Sequence, residues 1–432
     1  MKVIEVFDGD QLHALPVPYN CNEQKCAFLG TDAKNNDISV PLDMDLLSKH
    51  IMFLGGIGTG KTNAFTQIIS QLRNTMTTDD VMIIFDTKGD FHKEFHQNGD
   101  IVISNDDTAV GVNGLDYWNI FNEIPDDERM KENVHEIANS LFYEKMQKTN
   151  QPFFPTAAKD IFGAIITHFL RNKKTMKCNN QTIKAFFDNA LLEEYHQTLE
   201  KHDDMRAFIN YIKDGRSPQT QGVLSELQQV TKATFIGNFE KAGTLSLRDL
   251  VKQKGGKVVF IEYDIGVGSM LSPIYSLMFD MAIKEALSRK EGVPGNVYFI
   301  TDEFRLLPNL QHIDNAVNFG RSLGIKFMIG IQNVEQIYEC YGEHRARSIM
   351  SGFLTSVAFN VNDEPSRQFI KNRHGQNRKK ETFTSKIAGR GIVESIREAY
   401  VVEDWDISNL KIGEAIIGLP GKEPFKFQFK KA

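Results

Sequence analysis

The stretch that most constrains what this chain can fold into is IMFLGGIGTGKTNAF, residues 51–65. An apolar run ends in four glycines within six residues, then come Lys61, Thr62 and a helix-like pattern. Gly55, Gly60, Lys61 and Thr62 satisfy G-x-x-x-x-G-K-[ST]. Glycines 55, 56, 58 and 60, with Thr59 among them, let successive backbone N–H groups turn inward around phosphate oxygens. Lys61 is then placed to reach the outer phosphates, and the Thr62 hydroxyl to ligate Mg2+. A bare glycine-rich turn is the plainer reading. The buried strand before the loop and the helix after it are the context that phosphate binding requires.

Strand and helix alternate around this loop. HIMFLG, DVMIIFD (80–86) and DIVISN (100–105) read as buried strands, and Lys61–Leu72 as a helix. KVVFIEY (257–263), NVYFITDE (296–303) and IKFMIGIQ (325–332) continue the pattern, with a long helix near 272–289. TSVAFNV (355–361) and EAIIGLP (414–420) read as a last strand pair. Continuous apolar runs separated by helices predict an α/β fold whose mostly parallel sheet is covered on both faces. From 125 to 245 the apolar spacing is helical throughout. The expected division is a small β segment over 1–45, a nucleotide-binding domain over 46–124 and 246–432, and an all-α insertion over 125–245.

At 432 residues the chain has room for two or three domains, and its 41% apolar and 25% charged content is that of an ordinary soluble protein. The net charge of −6 excludes a basic coat but not a locally positive channel. Cys21 and Cys26 have no second pair to complete a zinc site, and four scattered thiols fit a cytoplasmic protein. No signal peptide opens the chain, and no apolar run approaches the ~18 residues of a membrane span.

A phosphate-binding loop needs an acidic strand to position its metal. In NVYFITDEF, Asp302 and Glu303 stand at the end of a strand that faces the ligand crevice of a parallel sheet. Asp302 would hold Mg2+, and Glu303 would polarise the attacking water. Capping of the next helix is the plainer role for Asp302. Gln332 ends another buried strand, where its amide would face a γ-phosphate. Arg321 precedes that strand at the opposite end of the sheet. There it suits the site of a neighbouring subunit, and the residues alone fit a surface arginine equally well.

Taken in order, GGIGTGKT, IIFDTKGDF, ITDEF and FGRSLGIKFMIGIQNVEQIYECYG resemble type IV coupling proteins. These are the VirD4/TraG/TraD-like ATPases of conjugation and type IV secretion, within the HerA–FtsK group of P-loop translocases. Asp86, Lys88, Gly89 and Asp90, and the block Arg321, Gln332, Gln336, Tyr341 and Gly342, carry the likeness beyond the loop itself. The resemblance implies a RecA-like P-loop NTPase domain with an inserted all-α domain and a small N-terminal β segment. It implies a homo-hexamer that hydrolyses ATP with Mg2+ and drives DNA, single-stranded or relaxase-linked, towards a secretion channel. Lys61 and Thr62 would bind nucleotide and Mg2+, and Asp302 and Glu303 would be the metal and catalytic acids. Gln332 would sense the γ-phosphate, and Arg321 would be an arginine finger acting in trans. The all-α domain would meet the relaxosome or cargo. Asp86 and Lys88 are left without a role beyond supporting the nucleotide edge.

Many coupling proteins begin with two membrane-spanning helices, and this chain opens without them. The expectation is a cytoplasmic protein that meets the inner face of the membrane through a partner. A HerA-like DNA-processing ATPase of repair or defence stays open, as does a nucleotide-gated assembly scaffold, although a scaffold needs no catalytic base such as Glu303. The segment 371–390 holds seven Lys/Arg against one Glu and reads as a mobile loop or hairpin that contacts DNA phosphates, or as a solvated basic surface. For the smaller cluster at 171–177 the solvated surface is the better reading.

Overall fold

The computed structural model describes residues 2–106, 117–384 and 392–432. Among them fourteen strands form. The first seven are β1 (Lys2–Asp8), β2 (Gln24–Thr31), β3 (Asp37–Asp43), β4 (Ile51–Leu54), β5 (Val81–Asp86), β6 (Ile101–Ile103) and β7 (Lys257–Glu262). The others are β8 (Val297–Thr301), β9 (Ile325–Ile331), β10 (Thr355–Ala358), β11 (Gln376–Thr384), β12 (Ile392–Tyr400), β13 (Glu414–Gly418) and β14 (Phe425–Phe429). The chain divides into two compact units. One comprises Met1–Thr77, Pro294–Arg305 and Asp314–Ala432; the other comprises Thr78–Val293 and Leu306–Ile313.

In the first unit eight strands lie in the order β3-β2-β14-β13-β10-β4-β9-β8. The run β10-β4-β9-β8 is parallel. β4 and β9 are buried along their whole length, as strands covered on both faces must be. Lys326 is the one charged residue in β9, and its ammonium reaches Asn296 Oδ1 at 2.7 Å. The remaining pairs, β10–β13, β13–β14, β14–β2 and β2–β3, are antiparallel. β14 has the alternation of a half-covered strand: Phe425, Phe427 and Phe429 are buried, with Lys426 and Gln428 between them partly exposed. Through it the N-terminal strands β2 and β3 become the far strands of the main sheet. β1 lies elsewhere, in a three-stranded sheet with β11 and β12.

In the second unit β5, β7 and β6 pair in parallel. Between residues 124 and 244 only helices and turns occur among the described residues, including Met130–Lys148, Phe153–Arg171 and Pro218–Thr234. Their core is aromatic: Phe142, Phe162, Phe169 and Phe187 are buried, and Phe162 stacks on Phe187 at 5.4 Å. Local signals start these helices. Ser217 accepts from Gln219 N with Pro218 in the first turn, and Asn179 accepts from Thr182 N. Glu123, fully buried, ties the way into this region to the way out. It accepts from Trp118 Nε1 at 2.9 Å, Leu247 N at 2.7 Å and Ser246 Oγ at 3.0 Å.

A second charged cluster lies in the same unit. His312 sets its Nδ1 2.8 Å from Asp280 and its Nε2 2.8 Å from Glu136. Glu136 also accepts from Lys284, whose ammonium donates to Asn133 Oδ1 at 2.9 Å. Burial alone would lower the imidazole's pKa. The hydrogen bonds to Asp280 and Glu136 more than offset it and raise it to about 9. A raised pKa of this kind contributes stability that is fully present below the unfolded value near 6.5 and fades as pH rises through about 9. His312→Asn leaves two carboxylates facing each other and is expected to cost about 3 kcal/mol near pH 6.5. Urea unfolding at both ends of this window checks it, because the deficit should narrow towards pH 9.

Candidate active site

β4 runs into the glycine loop, and the loop opens the helix Lys61–Thr75. Its first two residues are pinned to β9 and to the segment that follows β10. Gly55 N donates to Ile331 O at 3.1 Å, and Gly56 N to Asn360 O at 2.9 Å. Gly55 has no room for a side chain, since a Cβ would lie 2.6 Å from that of Phe359. Gly60 has φ +115 and sits 3.0 Å, from its ideal Cβ, to Gly413 Cα. Gly58 has open space around it but φ +74, so only its backbone conformation asks for glycine. Thr59 Oγ1 closes the turn on Gly56 O at 2.8 Å. The Lys61 ammonium folds back over the loop, donating to Gly55 O and, at 3.0 Å, to Gly56 O. Thr62 lies in the first turn of a helix with no side-chain cap, so that the positive dipole end of the helix can meet an anion.

The acidic strand β8 lies beside β9, with Ile300 opposite Met328 and Thr301 opposite Ile329. One step further the backbone of Asp302 presses against Gly330. A Cβ on Gly330 would lie 2.3 Å from Asp302 O. Glu303, only 8% exposed, turns back over this edge. One carboxylate oxygen accepts from Arg305 Nε at 3.0 Å, and the other from the Gln332 amide. The structure therefore brings Gln332 to Glu303, at the edge from which Ile331 O holds the glycine loop.

Arg321 lies in the turn Gly320–Leu323, ahead of β9. Seven residues of strand, about 20 Å at ~3.3 Å each, separate it from Gln332. Its guanidinium is 61% exposed and pairs with Asp45.

Asp86, at the end of β5, is buried. Its carboxylate accepts from His92 N at 2.8 Å and Lys88 N at 3.3 Å, which orders the turn into the helix Asp90–Phe95. Burial raises its pKa, and those N–H groups oppose the shift. Lys88 is exposed.

The basic stretch is not a single loop. Residues 371–374 end the helix Glu364–His374, and β11 pairs with β12 as a hairpin. Residues 385–390 of that stretch lie outside the described residues. Most of the described cations already have partners. Lys371 meets Asp404 at 2.8 Å, and Lys380 meets Glu394 at 2.8 Å. Lys379 is buried against Tyr400 O and Glu403. In the smaller cluster, Arg171 is bidentate to Asp204 and Lys173 pairs with Asp126.

Sequence reading passed over Arg305, Gly330 and Asn360. Gly330 did leave a signal, because a lone glycine inside an apolar strand marks a close backbone approach. Asn360 acts only through its carbonyl, which no side-chain pattern reports.

A phosphate-type loop, an acidic strand end and a glutamine on adjacent parallel strands define a P-loop NTPase of the RecA-like class. Residues 36–422 match the family described as type IV secretion-system coupling protein DNA-binding domain, and the chain belongs to that family. It is 22% identical over 383 residues to the coupling protein TraD of Escherichia coli (strain K12), an overlap of 86% of this chain and 50% of TraD. With the type IV secretion system-coupling protein VirD4 of Bartonella henselae it shares 20% over 411 residues, 89% of this chain and 63% of VirD4. It thus spans about half of TraD and under two-thirds of VirD4. Among solved structures, the bacterial conjugative coupling protein TrwBdeltaN70 aligns with a TM-score of 0.74 at 20% identity, covering 91% of this chain and 87% of its own. TrwB in complex with ADP and Mg2+ gives 0.72 at 19% identity, covering 91% and 88%. VirB4 of Thermoanaerobacter pseudethanolicus gives 0.58 at 13%, covering 96% and 99%. Among the described residues no helix is long and apolar enough to cross a membrane.

Gly330→Ala tests the packing of this edge. The added methyl has backbone, not a flexible side chain, in its path, and is expected to cost about 1–3 kcal/mol. A urea midpoint equal to that of the parent protein would mean that the strands are not held this closely.

Proposed function

We propose that this chain is an ATP-hydrolysing motor that moves DNA or a DNA–protein conjugate in conjugation or type IV secretion. The observation that carries the reading is Glu303, a buried carboxylate held by Arg305 and Gln332 on the edge that carries the glycine loop. A protein that only binds nucleotide has no need of a carboxylate there.

Lys61 and the backbone of the loop would bind the phosphates of ATP. The Thr62 hydroxyl and the Asp302 carboxylate are hard oxygen donors that suit Mg2+. Bound there, the metal would neutralise phosphate charge. Glu303 would take the proton of the attacking water, with Gln332 setting its orientation. When Gln332 changes partner between Glu303 and a phosphate oxygen, the end of β9 registers the state of the nucleotide. Arg321 lies too far along β9 to act on its own site. Its exposed pair with Asp45 is worth at most about 1 kcal/mol, so little opposes its release to a neighbouring subunit of a homo-hexamer. The family's description supports DNA as substrate, and the TrwB complexes support a nucleotide with Mg2+. Residues 125–245 are the proposed all-α domain that meets the relaxosome or cargo, beside the β segment 1–45 and the nucleotide-binding parts 46–124 and 246–432. The proposed location is the cytoplasm, with the membrane reached through a partner protein.

Lys61→Ala is expected to abolish ATP turnover in a folded protein, and retained turnover would place the active site elsewhere. Arg321→Ala should bind ATP but hydrolyse it slower by roughly 10³-fold or more. Mixing it with Glu303→Gln should recover some activity at mixed interfaces. Normal turnover by Arg321→Ala alone would exclude a role in trans. Turnover measured against protein concentration, with and without DNA, tests the motor, which should be cooperative and DNA-stimulated.

A further inference from the structure

The first unit holds a cavity of about 640 Å³, a size typical of small-molecule sites. Ser356, Arg373, His374 and Gly418 line it, with exposed Lys422 and Asp10. Ser356 is the second residue of β10. That strand runs parallel to β4, whose far end leads into the glycine loop, so the cavity lies at the opposite edge of the sheet.

Its polar groups are poorly matched by protein. The Arg373 side chain is largely buried. Among the described residues its one hydrogen bond goes to Phe353 O, and no carboxylate pairs with it. Among the described residues, Ser356, 4% exposed, has an Oγ without a partner, and the enclosed Nε2 of His374 has none either. Glu423 also lines the cavity, but its carboxylate is taken by His13 at 2.6 Å and Gln11 N at 3.1 Å. A largely buried guanidinium with no carboxylate paired to it is costly, and orphaned polar atoms beside it ask for a ligand. Gly418 is what lets these groups gather. It pairs with Ser356 across the two strands, and a Cβ on it would lie 2.5 Å from His374 Cε1 and 3.0 Å from Ser356 Oγ.

We propose that this cavity binds a phosphate-bearing ligand through Arg373, Ser356 and His374, as a second phosphate site separate from Lys61. The arginine fork matches phosphate oxygens in two-point fashion, and a serine hydroxyl and an imidazole complete a donor set for a tetrahedral oxyanion. Burial, and after it the charge of Arg373, push His374 down to about 4, so the ring is neutral and the positive charge comes from the arginine. β10 connects the two sites directly. Ser356 stands near its start, and Asn360, whose carbonyl holds Gly56, follows its end about 13 Å away at ~3.3 Å per residue. The ligand is either a free phosphate or mononucleotide, or a phosphate of a DNA strand.

The test uses the full chain carrying Lys61→Ala, which weakens phosphate binding at the glycine loop. Calorimetric titrations with inorganic phosphate, a mononucleotide and an oligonucleotide with or without a 5′-phosphate separate the sources. Binding of a small probe identifies a free ligand, and binding of oligonucleotide alone identifies a strand phosphate. In either case adding Arg373→Gln should weaken binding by roughly tenfold or more, the loss of one charge-assisted contact. Adding Ser356→Ala should weaken it several-fold. Failure of every probe to bind overturns the proposal, as does equal binding with and without the added substitutions in proteins that melt cooperatively. Should Arg373→Gln not fold, Ser356→Ala and His374→Asn make the same comparison. ATP turnover is measured separately in protein with Lys61 intact, so failure of the motor reading and failure of this one are distinguishable.

Discussion

The parallel register of β4, β9 and β8 is the constraint on which the candidate site depends. Phe53 faces Gly330, Leu54 faces Ile331, and Thr301 faces Ile329, so three strands finish at one edge. Parallel strands present their C-terminal ends together, and whatever follows them is gathered there without any long-range attraction between the functional groups. The glycine loop follows β4, Asp302 and Glu303 follow β8, and Gln332 follows β9. Gly330 tightens the arrangement by having no side chain where the Asp302 backbone passes. A one-residue slip of β8 against β9 would turn every side chain of the shifted strand to the other face and part Glu303 from Gln332.

The second unit meets a different difficulty, that of burying charge. Glu123 is removed from water entirely, which raises its pKa, and it is kept by donors from Trp118, Ser246 and Leu247. Those donors come from segments more than a hundred residues apart, so the same contacts that solvate the carboxylate also close the helical region at its base. His312 does similar service by bridging Asp280 and Glu136. Buried charges are tolerated here because each is completed by several partners, and removing one partner would cost more than the pair itself contributes.

Much of this was legible from local pattern. The loop, the buried strands around it and the acidic pair Asp302 and Glu303 could be read because each lies within a few residues of the signal that marks it. The alternation FKFQF was equally local and was passed over, although it supplies β14, through which β2 joins the sheet. The basic stretch was less legible for the opposite reason. Counting cations from 371 onward says nothing of Asp404, Glu394 and Glu403, which neutralise Lys371, Lys380 and Lys379 from further along the chain.

The sequence by itself determined the loop that can hold phosphates, the strands buried on both faces and the acidic strand end. Glycine positions, apolar periodicity and strand-end carboxylates are encoded over spans of ten residues or fewer. Only the tertiary structure decided that Gln332 and Arg305 hold Glu303, that Arg321 pairs with Asp45, and that Arg373, Ser356 and His374 share a cavity. Those meetings follow from strand register and crossover, which depend on how the whole hydrophobic pattern packs at once and leave no mark at the residues that meet.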